Sequence, residues 1–128
     1  MSGLLGGIFP LLEASLHFRS ARETVLAGNV ANADTPHYRR RDIRFDALLT
    51  ESISAPERTN SRHLPAAGGA EGEYSVEVGP PGTRPDGNGV DLDRELLEAH
   101  RNAGAFADQA QVLARLSNLM RTAIGNGG

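Results

Sequence analysis

Apolar side chains recur at helical spacing in the N-terminal part of the chain. At about 100° per residue, two such stripes combine into an apolar arc of roughly 180°. Arg19, Arg22 and Glu23 lie inside this arc. A helix that packs against a single partner needs a narrower apolar face, so the pattern predicts a helix with several neighbours over residues 10–34. The first stripe holds Ile8, Leu12, Leu16, Leu26 and Val30, and the second holds Leu11, Phe18 and Val25.

The C-terminal part carries a longer and more regular apolar pattern. From Leu92 to Leu113 the apolar positions alternate steps of four and three, which is typical of a coiled-coil seam. The phase slips by three at Leu116, and the pattern then continues through Met120 and Ile124. Asp91 is the predicted N-cap and Gly125 the predicted end, so the pattern predicts a helix over residues 91–124. The seam consists of Leu92, Leu96, Ala99, Ala103, Phe106, Ala110, Leu113, Leu116, Met120 and Ile124.

The segment between the two patterns is rich in glycine and proline. Residues 52–89 contain 12 Gly or Pro among 38, which excludes a long regular element. Residues 74–78 alternate apolar and polar side chains as a strand does, and residues 61–64 are the predicted pairing partner. Pro36 should end the first helix because it has no N–H to donate and favours an extended conformation at Thr35.

The predicted fold class is therefore mainly α. Two long terminal helices pack as an antiparallel coiled-coil hairpin, and an irregular middle segment contains a short β element. The predicted divisions are a mobile N-terminus at 1–9, the N-terminal helix at 10–34, the middle segment at 35–90, the C-terminal helix at 91–124 and a tail at 125–128. Since neither helix can bury its whole apolar surface within one copy, we expect full folding only beside neighbouring subunits.

Composition narrows the possible chemistry. The net charge is −3 and the chain has no cysteine, so disulfides and thiolate metal sites are excluded. The four histidines show no metal-ligand spacing, and the carboxylates near Asp91 fit helix capping better than calcium binding. We predict no catalytic, cofactor or metal site and no enzymatic activity. No stretch approaches the roughly 20 apolar residues of a membrane span, and no cleavable signal is evident.

The stretch VLAGNVANADTPHYRRRDIRFDALL resembles the N-terminal signature of the bacterial flagellar axial family, which includes rod and hook proteins. Within that family the motif resembles the members of the proximal rod. DGNGVDLDREL is similar to the family's entry into the C-terminal helix. Where most relatives carry glycine, this chain has His37, which would be costly if φ is positive there. The signature residues are Asn29, Ala31, Asn32, Asp34, Thr35, Pro36, Tyr38, Arg41 and Asp42.

The resemblance implies a structural subunit of the proximal rod of the flagellar basal body. Such a subunit would assemble helically, transmit torque from motor to hook and filament, and reach the periplasmic rod through the flagellar type III apparatus. It implies as partners further copies, other rod proteins, the rod-base adaptor, the export gate and the membrane ring, with no cofactor and no nucleic acid. The alternative is a helical-hairpin adaptor, or a nucleic-acid-binding module that uses the cluster Arg39–Arg44.

Overall fold

The computed structural model describes residues 2–44 and 74–126. Helix α1 spans Ser2–Ala31, strand β1 spans Arg41–Arg44, strand β2 spans Ser75–Val78 and helix α2 spans Leu92–Asn126. The two helices pack against each other, and their side-chain bonds pair early residues of α1 with late residues of α2. The pairing is therefore antiparallel, and the predicted mainly α hairpin with a short β element is confirmed.

Helix α1 begins earlier and ends earlier than the sequence pattern indicated. It starts at Ser2 rather than at Pro10, which lies inside the helix. Because Pro10 has no N–H, the carbonyl of Gly6 has no helical donor at that turn. Regular hydrogen bonding ends at Ala31, and the next amides close tighter turns: Ala33 N donates to Val30 O at 3.2 Å. Such tight turns are common at helix ends.

Helix α2 begins as predicted. The backbone N–H of Arg94 donates to Oδ1 of Asp91 at 3.3 Å, which makes Asp91 the N-cap. Asp93 and Glu95 occupy the first turn, where their charge favours the positive end of the helix dipole.

The β element is a two-stranded antiparallel ribbon. Ile43 lies opposite Val76 and Arg41 lies opposite Val78. Beyond the strands, Gly79 N donates to Arg40 O at 2.7 Å. The strand predicted at residues 74–78 is present, but its partner is β1. The proposed partner at residues 61–64 lies outside the described residues.

The interior of the chain is as polar as it is apolar. Among the described residues, three large apolar side chains, those of Phe18, Leu26 and Ile43, are buried along with Ala33 and Val90. Four polar side chains are buried just as completely. Since buried polar groups need hydrogen-bond partners, the packing of the helices depends on polar complementarity. These four residues are Asn29, Asn88, Glu95 and Asn102.

The predicted seam is only partly buried within the chain. Leu26 is fully buried, whereas Leu12, Leu16, Val30, Leu113, Leu116 and Met120 are half-buried. Leu92, Leu96, Phe106 and Ile124 are exposed. The reason is partly rotational: α2 turns Glu95 and Asn102 toward α1, and Leu92 and Leu96 lie roughly 60–120° around the helix from them, whereas Phe106 lies only roughly 20–40° away.

Candidate assembly interface

Asn29 joins the end of α1 to the beginning of β1. Its Nδ2 donates to Arg41 O at 2.6 Å, and Arg41 N donates to its Oδ1 at 3.0 Å. Nδ2 also donates to Oε2 of Glu95 at 3.1 Å, and the hydroxyl of Tyr38 donates to Oδ1 at 3.2 Å. The carboxamide therefore uses its full capacity of two donors and two acceptor sites. This explains why a fully buried Asn is tolerated here.

Glu95 is the buried acceptor at the centre of an ion-pair network. Arg40 Nε donates to its Oε1, and Arg40 Nη2 donates to Oδ2 of Asp42 at 3.0 Å. Arg22 bonds to Asp42 at 2.9 Å through Nε and to Glu98 at 3.1 Å through Nη2. One network thus connects α1, β1 and α2.

The network shifts the pKa values of Arg22, Arg40 and Asp42 in the direction that favours their charged forms. Burial alone would raise the pKa of Asp42, but hydrogen bonds from Arg22, the Ile43 amide and Arg40 outweigh it and lower that pKa. The hydrogen bond to Asp42 raises the pKa of Arg22 above its ordinary value. Burial lowers and the bonds to Glu95 and Asp42 raise the pKa of Arg40, with a net increase. All three groups are more firmly ionised in the folded chain.

Asn88 ties the exit of α1 to the entry of α2. Its Nδ2 donates to the carbonyls of Asn32 at 2.9 Å and Thr35 at 2.7 Å. Its Oδ1 accepts from Val90 N at 2.7 Å. Arg84 Nη1 donates to the Ala33 carbonyl at 3.1 Å. Carbonyls left free at a helix end require such donors, so the DGNG turn completes the C-terminal cap of α1.

His37 occupies the left-handed region, with φ of 61°. The sequence identified this position as costly if φ were positive, and that condition is met. The backbone N–H of His37 donates to Asp86 O at 3.0 Å. Gly87, with φ of 74°, lies against the imidazole, since a Cβ there would be 2.5 Å from His37 Nδ1. The two turns therefore fit closely together.

Polar pairs repeat along the contact between α1 and α2. Ser15 Oγ donates to Oε1 of Gln109 at 2.7 Å. Asn102 Nδ2 donates to the Arg19 carbonyl at 2.8 Å and to Oε2 of Glu23 at 3.0 Å. With the bond between Asn29 and Glu95, three polar layers form; on α2 they recur every seven residues. These layers fix the register of the hairpin.

The structure brings together six of the nine signature residues. Asn29, Asn32, Thr35, Tyr38, Arg41 and Asp42 all bond across the exit of α1 or to β1. Ala31, Asp34 and Pro36 are exposed. The role of all nine signature residues in assembly stays a prediction.

Sequence reasoning missed Ser15, Asn88, Asn102 and Gln109, and it took Glu95 only as a helix-capping carboxylate. The signal was a second periodicity: Glu95, Asn102 and Gln109 are seven apart on α2, as are Ser15, Arg22 and Asn29 on α1. Polar residues that recur every seven positions within the apolar arcs of both helices indicate that these two sides face each other.

Three arginines of the cluster Arg39–Arg44 already bond to other groups of the chain. Arg40 is held by Glu95 and Asp42, Arg44 pairs with Glu77 at 3.0 Å, and Arg39 Nε donates to Gly79 O at 2.7 Å. Nucleic-acid binding needs arginines available to phosphates, so the geometry does not favour that alternative. Within residues 2–44 and 74–126, no His, Asp and Glu side chains group as metal ligands. No helix among the described residues is long and apolar enough to cross a membrane.

The described residues thus define an α-helical hairpin protein with a polar interior and exposed apolar faces. No model of a known protein family matches the chain. The flagellar basal body rod protein FlgB of Escherichia coli K12 is 38% identical over 104 residues, covering 71% of this chain and 73% of that protein. FlgB of Proteus mirabilis HI4320 is 35% identical, with 91% and 93% covered. FlgB of Bacillus subtilis 168 is 28% identical, with 97% and 98% covered.

These relatives are rod proteins of the flagellar basal body. The chain belongs to the FlgB family of these proteins.

Proposed function

We propose that this chain is a structural subunit of the proximal rod, where it assembles helically with further copies and with other axial proteins. In this role it transmits torque from the motor to the hook and filament through packed contacts rather than through a reaction. Its partners are the neighbouring rod proteins, the rod-base adaptor, the export gate and the membrane ring. It reaches the periplasmic rod through the flagellar type III apparatus without a cleaved signal.

One observation carries this proposal: the exposed apolar stripe of α2. Leu92 is 45% exposed, Leu96 51% and Phe106 41%, although all three belong to one regular heptad-like pattern. The side of α2 that faces α1 is occupied by Glu95, Asn102 and Gln109 instead. A contiguous apolar face of this kind marks a surface for protein contacts. Repetition of a contact that does not close generates a helical assembly.

The test is complementation in a motile bacterium from which the gene for this chain is deleted. The wild-type chain should restore rods beyond the membrane-embedded base, whereas Leu96→Asp should restore none because the charge lies in the stripe. Arg94→Asp is the matched control, since it places the same charge on the opposite, exposed side of α2. Rods of normal number without the chain, or with Leu96→Asp at normal levels, would refute the proposal.

A further inference from the structure

Arg19 is the least well partnered cation of the interior. Its Nε is buried and has no hydrogen-bond partner among the described residues. Its Nη1 lies 3.5 Å from Oδ1 of Asn102, at the limit of a hydrogen bond. The guanidinium carbon lies 5.5 Å from the centre of the Phe18 ring. A buried donor without an acceptor costs free energy, so this arrangement needs an explanation.

The arginines around Arg19 all have carboxylate partners. Arg22 and Arg40 bond to Asp42, and Arg44 bonds to Glu77. No ion pair within the described residues includes Arg19. Burial, and then the neighbouring charge of Arg22, lower the pKa of Arg19 below its ordinary value. Among the described residues, this cation therefore has no carboxylate partner of its own.

Arg19 lines an open cavity between α1 and the β ribbon. The cavity has a volume of about 550 Å³. Four arginines line it, whereas the two carboxylates in its wall are already bonded to arginines. The charged lining consists of Arg19, Arg22, Arg40, Arg44, Asp42 and Glu77. Arg22 and Arg40 also bond to Glu98 and Glu95, so Arg19 is the lining arginine whose charge no carboxylate of the described residues pairs with. The cavity has room for one carboxylate beside it.

We propose that Arg19 binds a carboxylate on α2 of a second copy of this chain, an inference that rests on the proposed function in requiring adjacent copies. Charge complementarity favours this occupant. Residues 1–64 contain 8 Arg and 7 acidic residues, and residues 65–128 contain 5 Arg and 9 acidic residues. On α2, Asp93 and Asp108 are exposed and enter no ion pair within the described residues.

The geometry of the guanidinium suits this role. Arginine binds a carboxylate through two parallel N–H···O bonds, and the Nε edge of the guanidinium can supply both. A side-chain rotation of the kind that is common at interfaces would turn Nε of Arg19 from its buried position into the cavity. The carboxylate would then accept from the buried side-chain donor that has no partner among the described residues.

Two measurements on Arg19→Gln separate this role from a purely internal one. In dilute solution the variant should unfold at the same or a higher temperature than the wild type, because it removes an unpartnered charge. In basal bodies purified from complemented cells, it should dissociate roughly tenfold faster at low salt, as expected for loss of one ion pair, and concentrated salt should narrow that difference. The control Arg22→Gln should instead lower the unfolding temperature, because it breaks bonds to Asp42 and Glu98. Exposed Arg101→Gln should change neither quantity.

Charge reversal identifies the occupant. Arg19→Glu should weaken retention in basal bodies, and a second change, Asp93→Arg or Asp108→Arg, should restore it. Two results would overturn the pairing in cells where rods still form. One is that neither Asp93→Arg nor Asp108→Arg restores retention of Arg19→Glu, and the other is that Arg19→Gln is retained as well as the wild type. A lower unfolding temperature for Arg19→Gln would assign the residue to the internal fold. A wild-type chain that restores no rods would refute the proposed function, and the pairing with it.

Discussion

The inner and outer faces of α2 invert the usual distribution of side chains. The inner face meets α1 through Glu95, Asn102 and Gln109, whereas the outer stripe exposes Leu92 and Leu96. In most soluble proteins apolar side chains concentrate inside. Polar pairs give a hairpin a unique register, since a shifted pair leaves buried groups unbonded. Apolar surface gives most of the energy of association. The comparison indicates that the inner face sets the register of the hairpin, and we expect the outer stripe to add stability when a neighbouring subunit covers it.

The largest loss in the free energy of unfolding should follow from substituting Glu95, which lies at the centre of the inner face. Glu95→Ala leaves Arg40 without its buried acceptor and Asn29 with an unused donor. Breaking one side of a buried ion pair typically costs about 3–5 kcal/mol. We expect urea denaturation of the dilute chain to show a loss of that size in the free energy of unfolding. The partly exposed neighbour Glu98→Ala should lose less, and equal losses would contradict the central position of Glu95.

Substituting one buried and one exposed leucine allows the contributions of the two faces to stability to be compared directly. Leu26→Ala should cost about 2–5 kcal/mol in the dilute chain, since Leu26 is fully buried. Leu96→Ala should change the free energy of unfolding by less than about 0.5 kcal/mol, because that side chain is half exposed. Thermal unfolding at low concentration measures both. Similar losses for the two variants would mean that the outer stripe is already covered in the single chain.

Substitutions at the contact between His37 and Gly87 should have smaller effects on stability. One of them should stabilise the chain and the other should destabilise it. His37→Gly should stabilise the chain by about 1 kcal/mol, because glycine adopts φ of 61° without the steric cost of a Cβ. Gly87→Ala should destabilise it, because φ is positive and the new Cβ would meet the imidazole. In the His37→Gly background, Gly87→Ala should cost less. A double-mutant cycle without coupling would show that the turns are independent.

The smallest predicted effect is a change in how the stability of the chain depends on acidic pH when Asp42 is substituted. The pKa of Asp42 is lower in the folded chain than in the unfolded chain, so its contribution is fully present above the unfolded pKa of about 3.9. That contribution is lost as the pH falls through the lower, folded pKa. Asp42→Asn should therefore be less stable at neutral pH and lose less stability below about pH 4. If the stabilities of the wild type and Asp42→Asn changed with pH in parallel, Asp42 would not be the source of this pH dependence.

The sequence predicted the architecture well and the facing surfaces poorly. Apolar periodicity located both helices, Asp91 located the start of α2, and alternation located β2. Periodicity did not determine which side of α2 meets α1, since a hydrophobic stripe suits a neighbouring subunit as well as a helix of the same chain. The partner of β2 was missed because RDIR carries three charged side chains, and its pairing depends on Asn29 holding Arg41 at the exit of α1.

The candidate site was predictable in part for a similar reason. Asn29 and Asn32 were evident as polar groups on the last turn of α1, but their partners lie far along the chain. Asn88 and Glu95 come from the beginning of α2, and only the antiparallel pairing brings them near Asn29. A single sequence contains no direct record of such long-range pairs.

The bonds from Asn88 to the carbonyls of Asn32 and Thr35 have a consequence for how the chain can change length. They join the two helices at one end, and β1 and β2 lie side by side, so the chain leaves this end and returns to it. Arg44 lies opposite Ser75 in the ribbon, so the pairing of the helices is held from both strands. An insertion between these two strands should therefore leave the register of the hairpin unchanged.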